Sequence, residues 1–420
     1  MSLPAPGEVL RLVIEKPVAG GRMLARADGA IVLVAAALPG ELVEARVERS
    51  QRGTLWARTE RVLEPSPHRT GEPNACGGCV LAHASYAYQL TLKQGIVQDA
   101  FARVARLQIE EPSIVPSPAD GYRMRARLHV QANRIGFFLE GTHTLCPPAT
   151  TGQLLPETLA TLDTVAAELA HSSGTVTAID LAENRDTSER ALHLELRRDA
   201  DPSRLGAIAG LSGVSSLSLS HLESPRVRVL SGEGRVTDHF GPDPRAWSIS
   251  RTTRAFFQGN RYLLEPLVGH IVAALGPGPV TDLYAGAGLF AVAAAVHGHA
   301  PVMAVEGDAV SAADLRRNTA AWRGVIQARH EPVETYLRNR RTTAPQTLIL
   351  DPPRTGLSSR ALEGVAALRA PRVVYISCDV PTLARDVRSL AAGGYQVRQL
   401  TAFDLFPNTA HVESVAVLEL

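Results

Sequence analysis

Five short segments hold the side chains whose types and spacing could do chemistry. Tyr375-Ile376-Ser377-Cys378-Asp379 puts a thiol at the carboxyl end of an apolar, strand-like run, just before Pro381 opens a helical pattern. A thiolate is a soft nucleophile, and a helix amino terminus favours it over the thiol. The same thiol would also serve as a small buried hydrophobe. Asp282-Leu283-Tyr284-Ala285-Gly286-Ala287-Gly288 sets two glycines between a strand pattern and a helical one. Such a turn lets backbone come close to a ligand. The dinucleotide fingerprint is not met, because Leu289, Phe290 and Ala291 follow without a third glycine. Glu306 ends the next apolar run, 24 residues after Asp282. A carboxylate at a strand tip accepts from both hydroxyls of a ribose, so the two segments together point to a nucleoside-containing cofactor. Leu350-Asp351-Pro352-Pro353-Arg354 ends another apolar run. Its prolines lack amide donors and fix the backbone, which would hold Asp351 rigidly; a plain strand-terminating turn is the alternative. Glu413 begins the alternating segment Glu413 to Leu418. A lone glutamate is ordinarily a solvated surface group, so its case depends on its surroundings.

These groups need elements to position them. From about Ser248, helix-like stretches alternate with apolar runs at Val280 to Tyr284, Val302 to Val305, Thr347 to Leu350, Val373 to Ile376 and Val415 to Leu418. That texture predicts a doubly wound α/β domain, which binds ligands at the carboxyl edge of its sheet. Residues 1–64 read differently. Val9 to Ile14, Ala30 to Ala36, Leu42 to Val47 and Leu55 to Val62 are short strand patterns punctuated by Gly20-Gly21, Asp28-Gly29, Pro39-Gly40 and Gly53. About five short strands in so few residues predict a small OB-type barrel, ended by Pro65 and Pro67. Residues 65–247 form a central α+β block, with a helix predicted from about Tyr86 to Arg106 whose apolar side is Leu90, Ile96, Phe101 and Val104. Arg123, Arg125 and Arg127 alternate along a strand-like run in that block. On one strand face they would make a phosphate track, or simply a solvated surface.

Bulk properties set the outer limits. The chain has 420 residues, enough for two or three domains at roughly 150 residues each. Lys and Arg number 43 against 42 Asp and Glu, so no global charge advertises a nucleic-acid partner, although a local basic surface is compatible with that balance. Lys16 and Lys93 are the only lysines. Base composition of the gene accounts for that, and so would phosphate binding by arginine forks. No secretory leader or membrane-length apolar run is read, and four cysteines do not make a disulfide scaffold in a chain this long. The expectation is a soluble cytoplasmic protein whose cysteines have individual roles.

Over almost its whole length the chain resembles the RNA uracil-5 methyltransferases, in particular the ribosomal-RNA branch with an amino-terminal TRAM domain. Phe256-Phe257-Gln258-Gly259-Asn260 is similar to the family's Phe-x-Gln-x-Asn segment. Asp282 to Gly288 resembles its cofactor loop, and Asp351-Pro352-Pro353-Arg354-Thr355-Gly356 its Asp-Pro-Pro-Arg-x-Gly motif. Ser377-Cys378-Asp379, followed by Thr382-Leu383-Ala384-Arg385-Asp386, resembles the nucleophile motif. Phe406-Pro407-Asn408-Thr409-Ala410-His411-Val412-Glu413-Ser414 resembles the terminal Phe-Pro-x-Thr-x-His-x-Glu signature. Residues 8–64 are similar to TRAM, an OB-like RNA-binding barrel.

The resemblance implies a class I Rossmann-like methyltransferase domain at 248–420, a central RNA-binding domain at 65–247 and TRAM at 1–64. It implies S-adenosylmethionine as methyl donor, held by Gln258, Tyr284, Gly286, Gly288, Glu306 and Asp351. Cys378 would be the nucleophile and Glu413 the base. Phe256, two residues before Gln258, would share a strand face with it and stack on the target base. Arg123, Arg125 and Arg127 would contact RNA, with 23S rRNA favoured and the T-loop of tRNA the alternative. Since one chain holds every catalytic group, a monomer is expected.

Two departures stand out. Many ribosomal members hold an iron–sulfur cluster on four cysteines. Here Cys76, Cys79 and Cys146 match three ligands, while Thr70 occupies the first position and Cys378 is committed elsewhere. Substitution by His68, zinc on three cysteines and a histidine, and loss of the metal all stay open. Leu289 stands where family members often carry a polar residue near the cofactor. Amine methyltransferases with Asp-Pro-Pro motifs need no thiol. Cytosine-5 enzymes use a Pro-Cys motif that this chain lacks. An RNA-binding folding factor would lose nothing with Cys378.

Overall fold

The computed structural model describes residues 3–172, 174–224, 226–241, 246–339 and 345–420. The chain divides into two compact units. The first runs to Pro116 and includes Cys378–Arg388 and Thr401–Ser414; the second comprises Ser117–Ser377, Ser389–Leu400 and Val415–Leu420.

The first unit begins with β1 (Val9–Pro17), β2 (Met23–Ala27), β3 (Ala30–Ala35), β4 (Leu42–Gln51) and β5 (Thr54–Glu64), closed into a barrel in the order β1-β2-β3-β5-β4. Alternation drives it: Leu12, Ile14, Val32, Val34, Val43, Ala45, Val47, Leu55 and Ala57 all point inward and are buried. Two-residue turns with positive φ at both positions, Asp28-Gly29 and Arg52-Gly53, set the register of the hairpins they join. Closure leaves no free edge. After the barrel, α1 (Tyr86–Ala100) continues into a π-helical turn, Phe101–Ala105, which Arg106 ends in a left-handed conformation. This matches the helix predicted from Tyr86. Leu92 and Ile96 of α1 pack on the barrel core. β6 (Ser113–Val115) pairs with residues 401–403 later in the chain.

The second unit opens with β7 (Arg125–Gln131), β8 (Arg134–Phe138), β9 (Leu145–Cys146), α2 (Pro156–Leu169), β10 (Val176–Glu183), β11 (Arg190–Leu196), β12 (Ser216–His221) and β13 (Arg228–Ser231). The sheet order is β13-β12-β11-β10-β7-β8-β9. One face buries Leu128, Ile179, Leu181, Leu192, Leu194, Leu217 and Leu219 against Leu162, Val165 and Leu169 of α2. A ribbon of β14 (Arg235–Phe240) and β15 (Trp247–Thr252) follows.

The rest of the chain alternates as predicted. Its elements are α3 (Leu264–Ala273), β16 (Val280–Leu283), α4 (Leu289–Val296), β17 (Val302–Glu306), α5 (Ala309–Asn318), β18 (Ile326–His330), α6 (Val333–Asn339), β19 (Thr347–Leu350), α7 (Ser359–Leu368), β20 (Arg372–Ser377), α8 (Val380–Ala392), β21 (Gln396–Phe403) and β22 (Glu413–Glu419). β18-β17-β16-β19-β20 are parallel, and β22 and then β21 extend the order. The chain runs outward from β16 through β17 to β18, then returns to β19 on the other side. That reversal makes the carboxyl edge of β16 and β19 the switch point where α/β sheets bind ligands.

Candidate active site

The switch point collects the predicted cofactor residues of the second unit. At the tip of β16, Tyr284 adopts φ 63°, a left-handed conformation that costs a non-glycine residue of order 1–3 kcal/mol. Gly286 has φ 56°, and a Cβ built there would meet no atom within 4 Å. Its backbone therefore faces open space, as a ligand cradle requires. Gly288 has a different reason to be glycine. It opens α4 at φ 91°, where a Cβ would lie 2.7 Å from Leu315 Cδ1. Leu289, the departure from the family pattern, is the buried first residue of α4.

Glu306 ties the turn to the next helix. Its Oε2 accepts from the Gly286 amide at 2.8 Å and its Oε1 from the Asp308 amide at 2.6 Å. Each oxygen keeps a second lone pair for a hydroxyl donor. Two further residues hold the site that sequence reading did not single out. Asn318 Nδ2 donates to the Ala287 carbonyl at 2.8 Å and to Ser250 at 2.9 Å, bracing the glycine turn from the end of α5. Asp282 is fully buried, and among the described residues its carboxylate oxygens meet no donor in full hydrogen-bond geometry, the Ala291 amide being the one donor that bears on them. Burial pushes its pKa well above the usual range, Asp351 adds to the rise, and the Ala291 amide tempers it. Its signal was an acidic residue inside the apolar run Val280 to Leu283.

Asp351 receives the Gln258 side-chain amide at 3.3 Å. Its pKa is pushed up to about 7 by burial of the carboxyl group, against the pull of Gln258 and with help from Glu306. The residue as a whole keeps some exposed surface. It is the surroundings of the carboxyl that set the shift. Three carboxylates thus gather with amide donors. A sulfonium and an ammonium would satisfy them, and a ribose diol would meet Glu306, so these residues fit S-adenosylmethionine.

Phe256 and Gln258 do not share a strand face. Residues 253–259 are irregular; Phe256 is 58% exposed and Gln258 5%. Arg125 sits 5.9 Å from the Phe256 ring, and burial lowers its pKa from the usual arginine range. Arg127 is bound to Asp180 at 3.1 Å and to Glu195 at 2.8 Å. Arg123 precedes the strand and lies 5.9 Å from Phe137, a residue of the helix-covered face. The three arginines therefore have three different settings.

Cys378 and Glu413 belong to the first unit. Cys378 is half-buried, directly after β20. α8 is capped by Asp379, whose Oδ1 accepts from the Thr382 amide at 3.0 Å. A carboxylate thus meets the helix amino terminus beside the thiol, which the helix-dipole argument alone did not anticipate. Glu413 is 3% exposed at the start of β22, so it is no solvated surface group.

The cysteines do not fit a four-thiolate cluster. Among the described residues, no group of three or more His, Cys, Asp or Glu side chains is placed to hold a metal. Burial pushes the Cys79 thiol up to about 11. Thr70 donates its amide to the His83 carbonyl, and His68 stacks on Tyr88 at 3.9 Å. No helix among the described residues is long and apolar enough to cross a membrane.

Comparison with known proteins bears on these features. Residues 5–59 match the TRAM domain, and residues 339–420 match a family model described as tRNA (uracil-5-)-methyltransferase. The chain is 32% identical to the 23S rRNA (uracil(1939)-C(5))-methyltransferase RlmD of Halomonas elongata, over 97% of this chain and 89% of that protein. It is 31% identical to the protein of the same name from Pseudomonas entomophila, over 98% and 94%. Among solved structures, the Pyrococcus abyssi tRNA (uracil-54, C5)-methyltransferase in complex with S-adenosyl-L-homocysteine superposes with a TM-score of 0.74 at 25% identity, covering 97% of this chain and all of that one. With the barrel, the switch-point carboxylates and relatives matched nearly end to end, the chain belongs to the S-adenosylmethionine-dependent RNA uracil-5 methyltransferase family.

Proposed function

We propose that this protein methylates carbon 5 of a specific uridine in 23S rRNA through a covalent adduct on Cys378. The near full-length match to relatives named for 23S rRNA is the observation that carries this reading.

Carbon 5 of uracil is a poor nucleophile. The Cys378 thiolate adds to carbon 6, forming the carbon–sulfur bond and sending the ring electrons to carbon 5 and oxygen 4. S-adenosylmethionine supplies the electrophilic methyl group that carbon 5 takes. Glu413 then removes the carbon-5 proton, the carbon 5–carbon 6 double bond re-forms, and the thiolate leaves. Burial of Glu413 shields its carboxylate from bulk water, which supports its role as base. Gln258 steadies Asp351, one of the residues that would hold the methyl donor. Phe256, exposed in an irregular segment, offers a ring for the unstacked base. The three-part division at residues 64 and 247, RNA contact through Arg123, Arg125 and Arg127, a monomeric state and action in the cytoplasm complete the reading.

The tRNA T-loop is the second substrate, favoured by the name of the Pyrococcus structure. Purified protein and tritiated S-adenosylmethionine are incubated with unmodified 23S rRNA and, separately, with unmodified tRNA, beside Cys378→Ala. Label in 5-methyluridine from rRNA alone, lost in the variant, supports the proposal. Label from tRNA alone moves the target. Label in another nucleoside, or an active variant, overturns the mechanism.

A further inference from the structure

The loop leading to Glu413 is gripped by the polar side of α1, all within the first unit. Gln89 and Lys93 lie one helical turn apart and are 2% and 0% exposed. Lys93 Nζ forms an ion pair with Asp404, itself fully buried, and donates to the Phe406 carbonyl at 3.0 Å. Tyr86 Oη donates to the other oxygen of Asp404 at 2.9 Å. Gln89 makes a two-way clasp: its Nε2 donates to Asn408 Oδ1 at 3.0 Å, and its Oε1 accepts from the Asn408 amide at 2.9 Å. The Asn408 carbonyl accepts from the Leu81 amide at 2.9 Å. Asn408 itself is held at φ 65°. On the other side Ala410 packs in the barrel core, and a Cβ at Gly21 would come within 3.0 Å of it.

We propose that Gln89 and Lys93 are positioning residues for the base: through Asn408 and Asp404 they fix the loop that aims Glu413 at the carbon-5 proton. The inference rests on the assignment of Glu413 above. A buried ion pair gives little stability that apolar packing would not give, but it admits only one arrangement of its partners. A clasp on both the amide and the side chain of Asn408 does the same. Glu413 follows five residues after Asn408, too few to absorb a displacement there. One of the only two lysines in an arginine-rich chain occupies this buried position, where a compact ammonium reaches both a carboxylate and a carbonyl.

The clamp serves resolution of the adduct, not its formation, and that separates it from a merely structural role. Single-turnover reactions on unmodified 23S rRNA and tRNA transcripts would follow two species. One is the SDS-stable protein–RNA adduct; the other is released 5-methyluridine RNA. The variants are Gln89→Ala, the double variant Lys93→Met with Asp404→Leu, which leaves no unpaired buried charge, and Glu413→Gln. The first two should form adduct within about threefold of the wild-type rate and release product at least about tenfold more slowly. Their S-adenosylmethionine affinity should stay within about twofold of wild type. Release at the wild-type rate, or equal slowing of both steps, overturns the inference while Glu413→Gln still traps adduct. A Glu413→Gln protein that releases product at the wild-type rate overturns the base assignment and the clamp with it.

Discussion

Two buried polar clusters in this protein are built on opposite plans. In the first unit, Lys93, Asp404, Gln89 and Asn408 satisfy one another: the ammonium meets a carboxylate and a carbonyl, and the amides clasp in both directions. In the second unit, Asp282, Glu306 and Asp351 gather with amide donors among the described residues, and Asp282 has only the nearby Ala291 amide, short of full hydrogen-bond geometry. A saturated cluster defines a shape. An unsaturated one stores a demand for positive charge, which a cationic ligand meets. The first kind is expected behind a loop that must stay still, and the second where a sulfonium has to bind.

The largest test of that contrast is Lys93→Met alone. It leaves Asp404 buried without its cation, with Tyr86 the remaining side-chain donor among the described residues, so the unfolding free energy should fall by about 3–5 kcal/mol. Restoring neutrality with Asp404→Leu should recover most of the loss. Urea denaturation of the two variants measures both. A single variant as stable as wild type would mean that the cluster is not closed in the sense argued.

Asp351→Asn should act with the opposite sign. The folded carboxyl holds its proton up to about 7, whereas the unfolded one ionises near 3.9. Between those values the unfolded chain binds fewer protons, so the stability contributed by Asp351 is present at low pH and lost as pH rises toward 7. The asparagine variant should therefore be more stable than wild type at pH 8, by up to about 4 kcal/mol, and no more stable at pH 4. S-adenosylmethionine should bind it about 10- to 100-fold more weakly at pH 8, because a charged partner is gone. Equilibrium binding checks this; unchanged affinity would remove Asp351 from the cofactor site.

The same group gives a pH signature. In the wild type a protonated Asp351 must ionise to meet the cation, so affinity should fall as pH drops from 8 to 6, by up to about tenfold per unit below 7. Asp351→Asn should lack that slope. A slope that persists in the variant would point to a different titrating group.

The contrast also explains what was legible in the sequence. Strands such as Val302–Glu306 and Thr347–Leu350 were readable because they are buried on both faces and appear as unbroken apolar runs. Ile326–His330 escaped, since it ends the sheet order and buries only Ile326. The open cluster was largely visible too, because strand tips with glycines and carboxylates advertise ligand chemistry. The closed cluster was not. Gln89 and Lys93 lie outside the apolar positions predicted for this helix, Leu90, Ile96, Phe101 and Val104, and only tertiary packing turns them inward. The shared strand face of Phe256 and Gln258 failed for a related reason: period-two reasoning holds only where the backbone is extended, and residues 253–259 are irregular.

The smallest expected effect carries the contrast to the arginines. Arg127 is a closed case, its guanidinium already shared between Asp180 and Glu195. Arg125 is more open, resting on the Phe256 ring with its Nε unpartnered. A charge balanced by two carboxylates releases few counterions when RNA arrives, while an unbalanced one near the target base releases about one. RNA affinity measured between about 50 and 200 mM salt should therefore separate them. Arg125→Gln should weaken binding severalfold and lower the slope of log K against log salt by about 0.7–0.9. Arg127→Gln should shift affinity by less than about twofold and leave the slope alone. If Arg127→Gln instead removes a full counterion's worth of slope, its ion pairs open when RNA binds. Saturation in the free protein would then be no guide to function at that position.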